Sequence, residues 1–158
     1  MQLTRVHNFL HQQHVPFEVI GHDRASTAQE TAANAHIQYD LLAKTVMVKL
    51  DDELVMVVLP ATRRVHLGRL RDLTSARRAK LATEAEFRSH FPDCEVGAMP
   101  PFGNLYGMDV FVDESLAMEE DMTFNDGTHT HLVRVPFEEF ERLVDPIIAN
   151  LSYSGQDD

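Results

Sequence analysis

The run AKTVMVKLDDELVMVVLP, residues 43–60, carries the clearest structural pattern in this chain of 158 residues. Two β-rich segments, AKTVMVKL (43–50) and LVMVVLP (54–60), are separated only by the polar residues DDE. Both segments are rich in valine and other apolar residues that favour strands, whereas acidic residues between strands are typical of a turn. The run therefore predicts a β-hairpin, in which the two segments pair as antiparallel strands of a sheet.

A second hairpin is predicted where an Asp-Gly pair (126–127) separates the segments MTFN (122–125) and THTHLVRV (128–135). Asp-Gly is a strong hairpin signal, because glycine readily adopts the backbone angles that tight turns require. Two further strands are predicted from VPFEVI (15–20) and MDVFVD (108–113), in which apolar residues alternate with other residues.

Helices are predicted where apolar residues recur at helical spacing or where a Thr-x-x-Glu capping box begins a segment. Such patterns occur at 3–14, 26–36, 65–81, 83–91 and 136–151. Strands and helices are therefore mingled along the chain, and the two hairpins imply antiparallel pairs. Together these features predict an α+β protein with a mixed sheet.

The composition is that of an ordinary globular protein, with 44% hydrophobic and 25% charged residues. We expect one domain at 1–151, followed by a disordered acidic tail at 152–158. No apolar run is long enough to span a membrane, and the N-terminal stretch (1–14) is too polar for a signal peptide. The single cysteine, Cys94, excludes an internal disulfide framework and fits a reducing compartment, so we expect a cytoplasmic protein.

The formal net charge of −11 disfavours non-specific attraction to nucleic acid or anionic lipid. One segment departs from this average. Seven of the fourteen Lys and Arg residues lie between Arg63 and Lys80, where Asp72 is the only acidic residue. Such a segment can form a phosphate-binding face or a solvated helix face, and both interpretations stay open.

Lysine, histidine and cysteine side chains are the candidates for chemistry. Lys44 stands among apolar neighbours at the start of a predicted strand, where it can extend to the sheet edge or point into a pocket. The nine histidines include His129 and His131, but no His-Glu-x-x-His or paired-cysteine pattern occurs. We therefore expect no metal site, and we expect the histidines to be exposed or half-buried. Cys94 is not expected to be a nucleophile, because that role needs a nearby general base.

The stretch GAMPPFGNLYG (97–107) combines residues that seldom occur together. Pro100 and Pro101 exclude a core strand, whereas Met99 and Phe102 are more apolar than a solvated loop requires. One interpretation is a rigid loop beside a pocket, with backbone groups free to face a ligand. The other is a tight connection packed on the core, and the stretch alone does not decide between them.

Four segments occur in an order that is typical of one family. They are AKTVMVKL (43–50), LVMVVLP (54–60), GAMPPFG (97–103) and FNDGTHTHLVRVPFEEFERL (124–143). This order, over about residues 15–145, resembles the YbaK-like family, which includes the editing domain associated with prolyl-tRNA synthetase and its free-standing relatives. The resemblance implies a largely antiparallel curved sheet flanked by helices. It also implies an aminoacyl-tRNA deacylase that hydrolyses the ester joining a wrong amino acid to the tRNA 3′ end, without cofactor or metal.

The resemblance further implies roles for individual residues. Lys44 matches the family's essential lysine and would hold a substrate oxygen or the terminal phosphate. Gly97 and Ala98 would stabilise the oxyanion through backbone N–H groups. The implied substrate-binding residues, of which Met99 and Phe102 would wall the amino-acid pocket, are Met99, Pro100, Pro101, Phe102, Gly103 and Thr130. The basic residues expected to contact tRNA are Arg63, Arg64, Arg77, Arg78 and Lys80.

The implied partner is the 3′ end of a mischarged aminoacyl-tRNA, and an aminoacyl-tRNA synthetase is a second candidate partner. No membrane partner is expected. Two other functions stay open at this stage. The fold could serve as a non-catalytic module that binds a tRNA end or a small ligand, or as an interaction partner of a synthetase that uses the acidic surface.

Overall fold

The computed structural model describes residues 4–23, 28–35 and 37–154, and this part of the chain alternates between strands and helices. The strands are β1 (Glu18–Gly21), β2 (Ala43–Leu50), β3 (Glu53–Pro60), β4 (Arg63–Val65), β5 (Ala79–Leu81), β6 (Val110–Asp113), β7 (Asp121–Asn125), β8 (His131–Pro136), β9 (Ile147–Ala149) and β10 (Ser152–Ser154). The α-helices are α1 (Arg5–Gln12), α2 (Ala28–Asn34), α3 (Leu67–Thr74), α4 (Glu84–Phe87), α5 (Glu114–Ala117) and α6 (Phe137–Val144).

The hairpin predicted from residues 43–60 is the centre of a five-stranded sheet. β2 and β3 pair along their whole length, from Ala43 opposite Pro60 to Leu50 opposite Glu53. The turn between them is made possible by Asp51, whose positive φ of 53° lies in the left-handed region that aspartate tolerates. Neighbouring strands extend the sheet in the order β5-β2-β3-β6-β9.

The second predicted hairpin, β7–β8, is also confirmed and belongs to a three-stranded sheet with β1. An isolated bridge between Leu42 and Thr123 connects this sheet to the beginning of β2. A third, two-stranded sheet joins β4 to β10. Of the seven strand pairings among the described residues, only β3–β6 and β6–β9 are parallel. The predicted α+β class with a mixed, largely antiparallel sheet flanked by helices is therefore confirmed.

Two apolar layers cover the opposite faces of the five-stranded sheet. Successive residues of a strand point to opposite faces, so Met47 and Met56 join one layer while Val48 and Val57 join the other. The first layer includes side chains of α1, α6 and the three-stranded sheet. The second layer is covered by Leu70 of α3. The hairpin is buried on both faces, which explains its nearly continuous apolar sequence.

The predicted helix at 65–81 is wrong in its second half. α3 ends at Thr74, because Ser75 takes a left-handed conformation with a φ of 59°. The carboxylate of Asp51 then accepts two backbone N–H groups of the connecting segment, at 3.0 and 3.1 Å. These bonds hold the segment beside the β2–β3 turn, and the chain continues as β5 instead of a helix.

The predicted helix at 136–151 also ends early. α6 stops at Val144, where Asp145 has a φ of 53° and Pro146 lacks the N–H that a further helical turn would need. The chain then forms β9, which pairs in parallel with β6.

The predicted disordered tail at 152–158 needs a correction at its beginning. Ser152–Ser154 form β10 and pair with β4, so the folded part of the chain extends beyond 151. Residues 155–158 lie outside the described residues. Thr27 does as well, and the capping box predicted there is not described.

Asp113 closes the end of the five-stranded sheet through a buried carboxylate. One oxygen accepts the backbone N–H of Leu151 at 2.9 Å, and the other accepts the N–H and the hydroxyl of Ser115 at the start of α5. Burial alone would raise the pKa of Asp113, but hydrogen bonds from Ser115, Leu151 and Ser152 outweigh it and lower the pKa below its usual range. The carboxylate therefore joins three parts of the chain in its charged form.

We expect Asp113→Ala to lower the free energy of unfolding by about 3 kcal/mol, because it removes several charge-assisted bonds and leaves buried N–H groups without an acceptor. Urea denaturation at pH 7 measures this decrease, and Glu119→Ala at an exposed position is the matched control. The folded-state pKa is lowered, so the stabilisation is present above about pH 4 and disappears on further acidification. An equal decrease at pH 7 and pH 2.5 would contradict the electrostatic explanation.

Candidate active site

The Gly-x-x-x-Pro loop begins at an exposed glycine and ends in the core. Gly97 has a φ of 85°, in the left-handed region that favours glycine. Ala98 follows and donates its backbone N–H to the carbonyl of Glu95 at 3.1 Å, which closes a tight turn. Pro100 and Pro101 are buried. Burial and the turn constrain the loop, and the N–H of Ala98 is already bound within it.

The apolar side chains of the loop belong to the core. The ring of Phe102 is fully buried, and its centroid lies 6.0 Å from that of Phe9, 5.4 Å from Phe124 and 5.3 Å from Phe140. Met99 joins the same apolar layer and is 5% exposed. Both side chains are buried in the core, which does not fit the prediction that Met99 and Phe102 wall the amino-acid pocket. They anchor the loop to α1, β7 and α6 instead.

Gly103 allows a close approach, although not to a ligand. A Cβ atom at this position would lie 2.5 Å from the carbonyl oxygen of Met108 and 2.5 Å from a methyl group of Val110. The carbonyl of Gly103 also accepts the N–H of Met108 at 2.9 Å. Glycine is needed here because the loop packs tightly against the strand that follows it.

Hydrogen bonds join the loop to the β7–β8 turn. The N–H of Glu95 donates to the carbonyl of Gly127 at 2.8 Å, and the carboxylate of Glu95 accepts the N–H of His129 at 2.5 Å. The imidazole of His129 returns to the loop, where its Nε2 lies 2.7 Å from the carbonyl oxygen of Val96. The turn and the beginning of the loop therefore form one unit.

Arg5 of α1 holds both ends of the loop segment. Its guanidinium forms an ion pair with Asp93 at 3.2 Å and donates to the carbonyl of Leu105 at 3.0 Å. It also lies 4.8 Å from the ring centre of Tyr106, within the range of a cation–π contact. Burial raises the pKa of the Cys94 thiol in this network to about 11. The thiol is therefore protonated at neutral pH, which supports the expectation that Cys94 is not a nucleophile.

Lys44 is the second residue of β2 and is half-buried. Burial lowers the pKa of Lys44, and the positive charge of Arg64 lowers it further. Both effects make the charged ammonium group less favourable than in water. An anionic ligand beside Lys44 and Arg64 would reverse this penalty, so the pair is suited to bind a phosphate or a polarised oxygen.

Lys44 alternates with Ala43 along β2, so its side chain shares a face with Leu42, which packs against Leu132 of β8. Met99 and Phe102 belong to the layer on the opposite face, whereas Gly97 at the start of the loop is exposed. Within the described part of the chain, the hydrogen bonds and ion pairs of the loop do not include Lys44. Lys44 therefore lies near Arg64 and on the side of β2 that packs against β8, and hydrogen bonds join the loop to the β7–β8 turn of the same hairpin.

Thr130 belongs to the loop side of the site. Its hydroxyl lies 2.9 Å from Nδ1 of His131, and its carbonyl accepts the N–H of His22 at 2.8 Å. It directly follows His129, whose ring lies against Gly97. Thr130 therefore joins the end of β1 to the turn that holds the loop.

The predicted tRNA-binding residues are not equivalent. Arg63 donates to the hydroxyl and the carbonyl of Ser152, at 2.6 and 3.2 Å, so it connects β4 to β10. A different set of charged residues lines an open cleft of about 540 Å³ beside the β2–β3 turn. These residues are Lys49, Asp51, Asp52, Arg77, Arg78 and Lys80.

Among residues 4–23, 28–35 and 37–154, no group of three His, Cys, Asp or Glu residues is arranged to hold a metal ion. None of the helices in that part of the chain is long and apolar enough to cross a membrane. The two histidines of the β7–β8 turn, His129 and His131, have the carbonyl of Val96 and the hydroxyl of Thr130 as their neighbours instead.

Sequence comparison identifies the family. A model described as the aminoacyl-tRNA editing domain matches residues 22–143, which include Lys44, the Gly-x-x-x-Pro loop and the β7–β8 hairpin. The chain belongs to the aminoacyl-tRNA editing domain family. The YbaK-like resemblance inferred from the sequence is thereby confirmed.

Two solved structures share the fold of this editing domain. A hypothetical protein, APE2540, has a TM-score of 0.85 and 19% sequence identity, over 94% of this chain and 99% of that chain. A protein described as a proposed trans-editing enzyme for prolyl-tRNA synthetase has a TM-score of 0.80 and 20% identity, over 95% of this chain and 96% of that chain. At these identities the likeness establishes the fold. No curated protein matches this chain in sequence.

Sequence reasoning missed a buried pair that supports the turn of the editing domain. His7 of α1 is fully buried, and its Nε2 lies 3.1 Å from a carboxylate oxygen of the equally buried Asp126, although the alignment falls short of a good hydrogen bond. Nδ1 of His7 accepts the N–H of Thr4 at 3.3 Å, which assigns the proton to Nε2. One sequence signal could have indicated that His7 is buried: it lies three residues before Leu10, on the apolar side of α1.

Burial lowers the pKa of His7, and the neighbouring His131 and His11 lower it further. Asp126 raises the pKa, but its effect is smaller than the sum of the others. Protonation would also place an N–H on Nδ1, where it would face the N–H of Thr4. A lowered folded-state pKa means that the unfolded chain binds a proton more readily. Stability is therefore full above about pH 6.5 and decreases as the pH falls below it.

We expect the free energy of unfolding to decrease as the pH is lowered from 7.5 to 5.5. His7 can contribute at most about 1.4 kcal/mol per pH unit to this decrease. His7→Gln, which keeps an N–H for Asp126 but does not titrate, should reduce this slope. Urea denaturation at several pH values measures it, and His90→Gln at an exposed position is the control. Identical slopes for the parent and His7→Gln would contradict the assignment.

Proposed function

We propose that this protein is a trans-editing hydrolase that deacylates mischarged aminoacyl-tRNA at the 3′ end. The observation that carries the proposal is the family match over residues 22–143, which spans both the desolvated Lys44 and the rigid Gly-x-x-x-Pro loop. An aminoacyl ester is already activated, so an enzyme has mainly to position it and to stabilise the oxyanion. Neither task requires a metal ion, and we propose a metal-independent reaction.

Lys44 is proposed to bind an oxygen of the substrate, either at the ester or at the terminal phosphate. Its lowered pKa reflects burial and the nearby Arg64, and a negatively charged oxygen would relieve both effects. The interaction would grow as negative charge develops on the ester oxygen during the reaction. Binding that strengthens in the transition state is the kind that raises kcat.

Gly97 is proposed to supply the oxyanion-binding N–H. It lies at the exposed end of the loop, whereas the N–H of Ala98 is bound to Glu95. Water would attack the ester carbon, and the tetrahedral intermediate would collapse to the free amino acid and the 3′ hydroxyl of the tRNA. The ribose hydroxyl next to the ester is a candidate for activating that water, because it could take a proton from the water while it passes its own proton to the leaving 3′ oxygen.

The acceptor end of the tRNA is proposed to extend from Lys44 towards the cleft at the other end of β2. Lys44 and the cleft lie near opposite ends of β2, about 16 Å apart along the strand. Arg77, Arg78 and Lys80 line the cleft and are exposed. These residues would contact phosphates and position the substrate without reading its sequence. A synthetase partner and a cytoplasmic location are further parts of the proposal, in line with its substrate.

A deacylation panel tests the proposed function. The purified protein is incubated with several tRNAs, each carrying a correct or an incorrect amino acid, and hydrolysis of the ester is followed over time. We expect hydrolysis of at least one mischarged tRNA, and full activity after chelation once magnesium for the tRNA is restored. Binding without turnover would instead indicate a non-catalytic module, and co-purification with a synthetase at high salt without tRNA would favour an interaction protein.

Lys44→Ala is expected to lower kcat for deacylation by about 100-fold or more, as the removal of a group that stabilises the transition state does in other enzymes. The melting temperature should change little, because the lysine is only half-buried. Lys49→Ala is the matched control on the same strand and should keep its kcat at saturating substrate. A folded Lys44→Ala variant with normal turnover would refute the role proposed for Lys44.

The double variant Arg77→Ala/Arg78→Ala is expected to weaken binding by a similar factor for every tRNA tested. The log–log slope of affinity against salt should flatten by roughly 0.7 to 0.9 for each phosphate that the variant no longer neutralises. Hydrolysis at saturating substrate should hardly change. The control is Arg88→Ala/Arg142→Ala, which removes the same charge from residues paired with Glu84 and Glu139. Equal salt slopes for the two double variants would place the tRNA path elsewhere.

A further inference from the structure

We propose that Glu95 is a positioning residue that fixes the Gly-x-x-x-Pro loop in the conformation that presents the N–H of Gly97. This inference rests on the proposed function, because a fixed loop affects catalysis only if the N–H of Gly97 binds the oxyanion of the substrate. It concerns a residue that touches no reacting atom. Glu95 would act through the loop backbone and through the β7–β8 turn.

Glu95 binds the turn and the loop through three different groups. Its N–H donates to the carbonyl of Gly127 at 2.8 Å, and its carboxylate accepts the N–H of His129 at 2.5 Å. Its carbonyl accepts the N–H of Ala98 at 3.1 Å. The residue thus fixes the chain on both sides of Gly97, and the carboxylate bond is charge-assisted and stronger than a neutral one.

His129 completes the connection from the other side. A carbonyl oxygen can only accept, so Nε2 of His129 must carry the proton that it donates to Val96 at 2.7 Å. The same ring covers Gly97, because a Cβ atom built there would lie 3.6 Å from Cε1 of His129. The carbonyl before Gly97 and the N–H after it are therefore both engaged. Among the described residues, the N–H of Gly97 has no backbone acceptor and is available to a ligand.

The turn is a firm support for this connection. Asp126 is buried, and its carboxylate accepts the N–H and the hydroxyl of Thr128 at 2.9 and 2.7 Å. The other carboxylate oxygen faces His7 in the core. Arg5 holds only the two ends of the loop segment, at Asp93 and Leu105. The carboxylate of Glu95 and the imidazole of His129 therefore both connect the middle of the segment, near Gly97, to the supported turn.

Kinetics of Glu95→Ala and Glu95→Gln test the proposal. We expect Glu95→Ala to lower kcat by about 10- to 100-fold with little change in KM, because small displacements of a reacting group are costly. Glu95→Gln should recover much of this decrease, since its amide oxygen can still accept the N–H of His129. Glu84→Ala, in the exposed first turn of α4, is the control. A purely structural role would lower the melting temperature and leave the kcat of the folded protein unchanged, which would overturn the proposal.

Amide hydrogen exchange provides a second measurement that does not depend on activity. In the free protein, Glu95→Ala should accelerate exchange at the N–H groups of Ala98 and His129 by about 10-fold or more, while β3 amides keep their protection. Unchanged exchange at both positions would overturn the proposal, even if kcat fell. If the parent protein hydrolyses no mischarged tRNA, the proposed function fails, and exchange alone then decides whether Glu95 fixes the loop.

Discussion

The pairing of β2 with β3 is the constraint on which the rest of the structure depends. It runs over eight residues of each strand, and both of its faces are covered by apolar layers. One layer brings α1, α6 and the three-stranded sheet onto the hairpin, and the other brings α3. Lys44 lies near the beginning of this hairpin and Asp51 lies in its turn, so the half-buried lysine and the exposed charged cleft are held at opposite ends of one strand.

The loop and the lysine are positioned by different means. Lys44 is held by strand pairing, whereas the loop is held by a buried aromatic ring, Phe102, and by hydrogen bonds to the β7–β8 turn. Backbone N–H groups can stabilise an oxyanion only if they do not move as charge develops. In the reaction we propose, the aromatic contacts and the bonds of Glu95 would provide that rigidity, so an apolar, proline-rich loop is compatible with a polar reaction.

The sequence could predict the two hairpins and the α+β class, because alternation and turn residues are local signals. It could not predict that α3 ends at Thr74, because that end depends on Ser75 and on a carboxylate in a distant turn. The burial of Phe102 could not be predicted either, because the sequence does not show whether an apolar loop residue faces the core or a pocket. Glu95 and His129 are 34 residues apart, and no local pattern indicates that they are bonded. The role expected of Lys44 came from family resemblance.

The short strand β10 has a consequence for how the protein can be handled. Ser154 pairs with Arg63, and Tyr153 pairs with Arg64, the residue whose charge lowers the pKa of Lys44. A shortened variant that lacks Ser152–Ser154 would lose the strand that pairs with Arg64, and with it a support for the surroundings of Lys44.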